Sequence, residues 1–451
     1  MAESGRQAAE KIVRRLIAAG HQAYFVGGCV RDLLLGREPA DYDVATDATP
    51  DDVMRLFSNT VAVGAQFGVV LVVEDSTQVE VATFRSDGRY TDGRHPDEVC
   101  FARQPEEDVR RRDFTVNGLL FDPIKNECLD FVGGREDIRR GVIRTIGEPR
   151  ERFAEDKLRM LRAVRFAARF GYTIEPDTFA AIRQLRGQVR LVSAERSRDE
   201  ILKMLTESHP RRAFELLDDS GLLEVLLPEV ARMKGVPQPP EFHPEGDVWV
   251  HTLLMLEMMD QPGSTLALGV LLHDVGKPPT FRVADRIRFD DHTEVGARMA
   301  EEICKRLRLS NPETEQVVAL VRNHLRFKDV PRMKPSTLKR FVRMERFEEH
   351  LELHRLDCLA SHGDLTCWEF VHRFLGETPV EEIRPPRLLT GDDLLRIGYK
   401  PGPVFKKILA AVEEAQLEGQ LASREAAMQF VAGRFPLGET HHDPDPAQEK
   451  R

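Results

Sequence analysis

The sequence has no Cys-x-x-Cys pair; its six cysteines (Cys29, Cys100, Cys128, Cys304, Cys358 and Cys367) are scattered over 451 residues. In so long a chain this argues against a disulfide frame and for reduced thiols in the cytoplasm. No run approaches the roughly 20 apolar residues that span a bilayer. The opening MAESGRQAAEKIVRRLIAAG lacks the continuous apolar stretch of a secretory signal, and its spacing suits an amphipathic helix. No self-similarity recurs at solenoid periods. Membrane spans, a disulfide scaffold and a repeat array are therefore not expected.

What is present is an ordinary globular composition, 41% hydrophobic, in a chain too long for one core. From Ala23 to about Ile146, short β-rich runs (AYFVGG, VVLVV, QVEVATF) alternate with Gly and Pro. From Glu151 to about Val230 strong helix formers dominate. VPQPPEFHPEG (Val236–Gly246) reads as a Pro-rich linker, and Asp247 to about Phe374 is again helical and rich in histidine. KPGP (Lys400–Pro403) opens a helix over Val404–Gln416, and the closing HHDPDPAQEKR, without apolar content, is expected to be disordered. The expected fold class is α+β: a small α/β head over 1–146, then helical regions over 147–235, 236–375 and 376–436, with 437–451 unstructured.

A net charge of −10 counts against a nucleic-acid-binding chain, but a phosphate backbone meets a patch and not a total. Arginines are dense between Arg135 and Arg169, with acidic residues interleaved. A solvated helix face and an RNA-facing patch are equally compatible with that composition.

In PADYDVAT, Asp41 and Asp43 lie two residues apart in a β-like context, so alternation turns both to one face. Two converging carboxylates can hold Mg²⁺ while leaving positions for substrate phosphates, and paired ions can activate a hydroxyl and stabilise leaving pyrophosphate. Gly27 and Gly28 end the strand AYFV and precede the helical CVRDLLLG, where backbone amides can approach a triphosphate; Arg31 follows in the first turn. A lone Asp-x-Asp is usually a solvent-facing turn. Strand, Gly-Gly, helix and Asp-x-Asp within about twenty residues together form a nucleotidyltransferase opening of the polymerase-β type. A third carboxylate is expected on a neighbouring strand, with Glu80 of QVEVATF the best candidate.

Seven segments then arrive in one order: FVGGCVRDLLLG, DYDVAT, TFRSDGRYTDGRHPDEVCFA, RRRDFTVNGLLFDP, GGREDIRRGVIRTIG, EDKLRMLRAVRFAARFGY and ERSRDEILKML. Over roughly residues 22–207 the chain resembles the bacterial class II CCA-adding enzymes of the tRNA nucleotidyltransferase/poly(A) polymerase family. It departs from the family at Gly118, where alanine is usual, a swap the backbone tolerates. The resemblance implies addition of CCA to the tRNA 3′ end from CTP and ATP. Arg111, Arg112, Asp113 and Asn117 are then nucleotide-binding; the residue types alone allow Arg111 and Arg112 to donate to ribose or phosphate and Asp113 to accept from a sugar hydroxyl. On a continuous helix Glu155, Arg159 and Arg162 fall on one face at i, i+4 and i+7, flanked by Asp156. A row of surface ion pairs would look the same. The resemblance makes Asp156 and Arg159 the base-reading pair, with Glu155 orienting and Arg162 supporting. A carboxylate beside a guanidinium suits the amino-donor and ring-acceptor edges of cytosine and adenine and mismatches uracil and guanine.

The polar loop Ser86–Val99 has the composition of a mobile segment; the resemblance ties it to the switch to the final A, which disfavours a CC-only enzyme. In AVGAQFGVV, Ala65 and Gln66 stand where bacterial poly(A) polymerases carry Arg-Arg, favouring tRNA over polyadenylation.

His251 in VWVHTLL, His273 and Asp274 in LLHDVGKP, His292 in DHTEVGA, His324 in VRNHLRF and Asp357 in HRLDCLA follow the order of an HD-type phosphohydrolase. Imidazoles and carboxylates suit a second divalent metal, of the transition series, that activates water against phosphoesters. A lone helical histidine is more often structural, but five helical segments each offer a ligand type, and Lys277 beside the motif can touch a phosphate. The resemblance extends to HD-domain CCA enzymes and to their C-terminal helices, which imply a tRNA-body contact. Three functions stay open: full CCA addition, addition of A or CC alone, and a metal phosphohydrolase whose head only recognises RNA. The intact Asp-x-Asp argues against the third.

Overall fold

The computed structural model describes residues 2–64, 68–87, 99–207, 209–241 and 243–437. Ala65, Gln66, most of the Ser86–Val99 loop and the expected disordered end from 438 lie outside them. The chain divides into two compact units, Met1–Val317 and Val318–Arg451.

The first unit opens with α1 (Ala2–Ala18), amphipathic as its spacing predicts: Ala8, Ala9, Ile12, Val13 and Leu16 are all fully buried. It covers a seven-stranded mixed sheet in the order β3-β4-β5-β2-β1-β8-β9. The strands are β1 (Ala23–Val26), β2 (Val44–Thr46), β3 (Thr60–Gly64), β4 (Val69–Glu74), β5 (Thr77–Thr83), β8 (Leu119–Asp122) and β9 (Glu127–Asp130); β6 (Arg85–Asp87) and β7 (Val99–Phe101) form a separate ribbon. The three β-rich runs singled out in the sequence are β1, β4 and β5. Within this sheet, among the described residues, only β2 and β5 pair in parallel, so their connection crosses over through α3 (Pro50–Leu56) and the β3–β4 hairpin. The helix α2 (Gly28–Leu34) leaves β1 directly, and α4 (Pro105–Arg110) and α5 (Gly134–Arg140) complete the head.

Helices follow: α6 (Pro149–Glu155), α7 (Leu158–Phe170), α8 (Pro176–Leu185), α9 (Ala194–Thr206), α10 (Pro210–Ser220), α11 (Leu222–Leu226) and α12 (Pro228–Ala231). One expectation fails here. The continuous helix through Glu155 and Arg162 is broken at Asp156, which is extended at φ −140° and ψ 106°. Its side chain accepts from the amide of Leu158 at 3.1 Å, the local competition by which aspartate leaves one helix and starts the next.

The histidine-rich region holds α13 (Val248–Met258), α14 (Ser264–Leu272), α15 (Lys277–Thr280) and α16 (His292–Arg306). It is not wholly helical: Phe281–Val283 and Ile287–Phe289 form an antiparallel hairpin, as their alternating residues allow. In the second unit, Phe327, Phe341, Phe347, Leu351 and Val371 make one core and Leu389, Leu394, Ile408, Val412 and Val431 another. The helix expected over Val404–Gln416 runs Pro403–Leu417. No described helix is long and apolar enough to cross a membrane.

Candidate active site and histidine centre

The acidic centre forms where β1 and β2 meet. Gly27 ends β1 at φ +75°, a left-handed conformation, and a Cβ there would lie 3.4 Å from Nη1 of Arg112. Asp41, Tyr42 and Asp43 lead into β2. Tyr42 turns into the core against Phe25, leaving Asp41 exposed and Asp43 partly exposed on the other side. The backbone carbonyl of Asp43 accepts from Val26 at 3.0 Å, which locks the pair to the end of β1. The parallel register Val44↔Val81 brings Asp43 level with Glu80, and Glu80 is exposed between the buried Val79 and Val81. Burial first, then the charges of Asp41 and Glu80, push the Asp43 carboxyl up to about 6 against the opposing pull of Arg112. A partly buried carboxylate whose proton affinity is raised by two acidic neighbours fits a divalent cation, whose charge would relieve it.

Of the predicted nucleotide contacts, Arg31 is buried and committed within the protein. It pairs with Asp32, donates to Oδ1 of Asn117 at 2.7 Å and lies 4.5 Å from the ring centre of Phe170. Asn117 donates to Asp113 at 3.2 Å, and Asp113 accepts two bonds from Arg162, at 2.7 and 2.9 Å. Burial alone would raise the Asp113 carboxyl, but the Arg162 charge and the bonds from Arg162, Asn117 and Phe114 hold it below the usual range. A relay Arg31–Asn117–Asp113–Arg162 thus joins α2 to α7. Arg111 and Arg112 both pair with Asp108, at 2.7 and 2.9 Å, and Arg152 donates to the carbonyls of both at 2.5 and 2.7 Å. The i, i+3 and i+4 spacing of Asp108 carried this signal; Arg152 was visible only as part of the arginine run.

The helix break separates the neighbours Glu155 and Asp156. Arg159, buried, donates to Glu155 at 2.7 Å and to the Arg152 carbonyl at 3.0 Å. Asp156 accepts two bonds from Arg196 of α9, at 2.8 and 3.2 Å. Arg196 lies in the ERSRDE segment, but nothing in its spacing pointed 40 residues back to Asp156. Much of the basic run is similarly spent on carboxylates, among them Arg144 with Asp137 and Arg165 with Glu200. At Gly118 the backbone is undemanding (φ −94°), yet an added Cβ would meet Cδ1 of Ile146 at 2.7 Å. Alanine there requires Ile146 to move.

In the histidine region, Nδ1 of His273 donates to the Val270 carbonyl at 2.9 Å and Nδ1 of His292 to that of Phe289 at 2.8 Å. A carbonyl can only accept, so each neutral ring carries its lone pair on Nε2. Those Nε2 atoms lie 3.1 and 3.7 Å from the two oxygens of Asp274. Burial, more than the nearby charges, lowers the His292 pKa and keeps that ring neutral. Two lone pairs facing a buried carboxylate fit a cation between them. Lys277 is buried 2.6 Å from Asp274, and the His251 ring stands 5.4 Å from that of His273. In the second unit His324 is buried with Nδ1 on the Val321 carbonyl at 2.8 Å, and Asp357 sits half-buried on the helix Phe347–Ala360.

Three family models match the chain: a poly A polymerase head domain over residues 23–144, a probable RNA and SrmB-binding site of polymerase A over 171–234, and an HD domain over 248–359. Over these segments the chain is similar to the poly(A) polymerase head, RNA-binding and HD families. Similar curated proteins include CCA-adding enzymes. That of Geobacillus stearothermophilus is 48% identical over 216 residues, 48% of this chain and 53% of its own length. That of Bacillus subtilis (strain 168) is 46% identical over 215 residues, 48% and 54% of the two chains. The match thus spans about half the length of these curated relatives. The crystal structure of a Bacillus stearothermophilus CCA-adding enzyme in complex with CTP superposes with a TM-score of 0.71 at 29% identity, covering 95% of this chain and 98% of that one.

Proposed function

We propose that this chain adds CCA to the 3′ end of tRNA from CTP and ATP without a nucleic-acid template, releasing pyrophosphate. The observation that carries the reading is the acidic centre, in which Asp43 stands level with Glu80 across parallel strands and beside Asp41. Identity of 48% over 216 residues to a CCA-adding enzyme supports it. Asp41, Asp43 and Glu80 would hold Mg²⁺, which supplies an activated terminal hydroxyl and neutralises the leaving group's charge. Gly27 leaves room for phosphates beside Arg112, and Arg111 lies on the same Asp108 anchor. Asp156 and Arg159 read the base edge: the carboxylate accepts the exocyclic amine of C or A, and the guanidinium donates to the ring nitrogen. A carbonyl in place of the amine leaves buried groups unpaired, which costs about 1–3 kcal/mol. Unpaired cysteines at all six positions accord with a reducing, cytoplasmic setting.

The histidine centre supports a second divalent metal, held by His251, His273, Asp274 and His292, which would activate water towards phosphoesters. The assay for the transfer reading uses tRNAs ending before the CCA, after C and after CC, with labelled CTP and ATP offered separately and together. Incorporation of A onto the CC-ending tRNA alone would reduce the function to A addition. No incorporation, with hydrolysis of a cyclic nucleotide, would make the chain a phosphohydrolase with an RNA-recognising head.

A further inference from the structure

The Pro-rich stretch before the HD domain is more than a connector. Val236–Gly246 is tied at its ends by the Pro237↔Asp247 bridge and by the Val248 amide on the Val236 carbonyl at 3.1 Å, the closed form of an Ω-loop. It lies upstream of residues 248–359, which the HD family model matches. Two of its side chains reach that domain's motif residues. Gln238 is buried and accepts from Lys277 at 2.6 Å. Glu245, its side chain 7% exposed, places Oε1 2.7 Å from Nδ1 of His251 and 2.8 Å from Nδ1 of His243. Its Oε2 is buried and takes no hydrogen bond among the described residues. A structural carboxylate gains nothing from that orphaned oxygen, because desolvation without a partner is costly.

His251 stands apart from the other histidines of the motif. His273, His292 and His324 each anchor Nδ1 on the carbonyl three residues back, which directs the lone pair of Nε2 outwards. For His251 the carbonyl three residues back, that of Val248, instead accepts the Thr252 hydroxyl at 2.8 Å. Glu245 takes the place of that carbonyl. At 2.7 Å the two atoms are in ion-pair contact, closer than two ligands on one tetrahedral ion, with bonds of about 2.0–2.1 Å, would stand.

We infer that Glu245 is a positioning residue of the HD metal centre: it holds Nδ1–H of His251 so that Nε2 is presented to the metal. The loop that carries it is then part of that centre. This rests on the metal reading proposed above. Carboxylates behind a ligating imidazole fix its tautomer and raise its basicity, and their loss lowers metal affinity by about 10–100-fold.

The test is titration of the chelator-stripped full chain with Co²⁺, read by visible absorption, for the wild type, E245A, E245Q and H273A. Thermal unfolding of each metal-free protein identifies any variant that has not folded. Affinity is expected to fall by about 10–100-fold in E245A, with E245Q, which keeps an acceptor oxygen, recovering part of the loss. E245A and E245Q both binding Co²⁺ as the wild type does would overturn the inference while leaving the metal centre standing. A wild type with no Co²⁺ band, or one unchanged in H273A, would remove the metal reading itself and the inference with it.

Discussion

At the scale of single residues, the acidic centre and the proposed base-reading edge make separable demands. Asp43→Asn is expected to lower the transfer rate by at least ~10²–10³, the usual cost of losing one preorganised electrostatic contact, with binding of CTP less affected; a single-turnover assay at saturating nucleotide checks this. Asp156→Asn is expected to raise UMP incorporation relative to CMP by about 10–100-fold, the equivalent of ~1–3 kcal/mol, because an amide can donate to a carbonyl where the carboxylate could only accept. Competition between labelled CTP and UTP reads it. Much of this was legible in the sequence: Asp41 and Asp43 by alternation, Glu80 by its place on a valine-flanked strand, and Glu155 by its i+4 distance from Arg159. Arg196 and Glu245 were not, since each acts on a partner that neither helical nor strand periodicity brings near.

Between elements, the informative contacts are close approaches and buried charge. Gly118→Ala is expected to cost about 1–3 kcal/mol in chemical denaturation, and Ile146→Val in the same chain to recover part of it, because the obstructing atom is Cδ1. Gly134→Ala should cost more, without rescue from a side-chain change, since its Cβ would lie 2.1 Å from the Thr115 carbonyl oxygen. Asp113 gives a pH signature. Its carboxyl is held below the usual range in the folded chain, so its contribution is complete above the unfolded value of about 3.9. It is lost as the pH falls through the depressed folded value. Stability measured from pH 6 down to 3 should therefore fall less steeply in Asp113→Asn than in the wild type, although the variant starts lower. The sequence showed the helices on both sides of this contact but not the break at Asp156, because a local aspartate cap overrides good helix formers.

At the scale of the whole molecule, a net charge of −10 coexists with the proposed RNA partner only if local arginines do the binding. Binding of tRNA is expected to weaken linearly in log–log form with added salt, by roughly 0.7–0.9 per phosphate neutralised, and a salt-independent affinity would argue against a phosphate-tracking surface. The relay Arg31–Asn117–Asp113–Arg162 bears on how such an enzyme would extend a chain. It pins the helix beside the acidic centre to the helix that carries Arg159, so the spacing between chemistry and selection behaves as a fixed gauge. Under the proposed function, a growing 3′ end would be drawn back through that frame after each addition, and the work of successive registers would fall on the RNA.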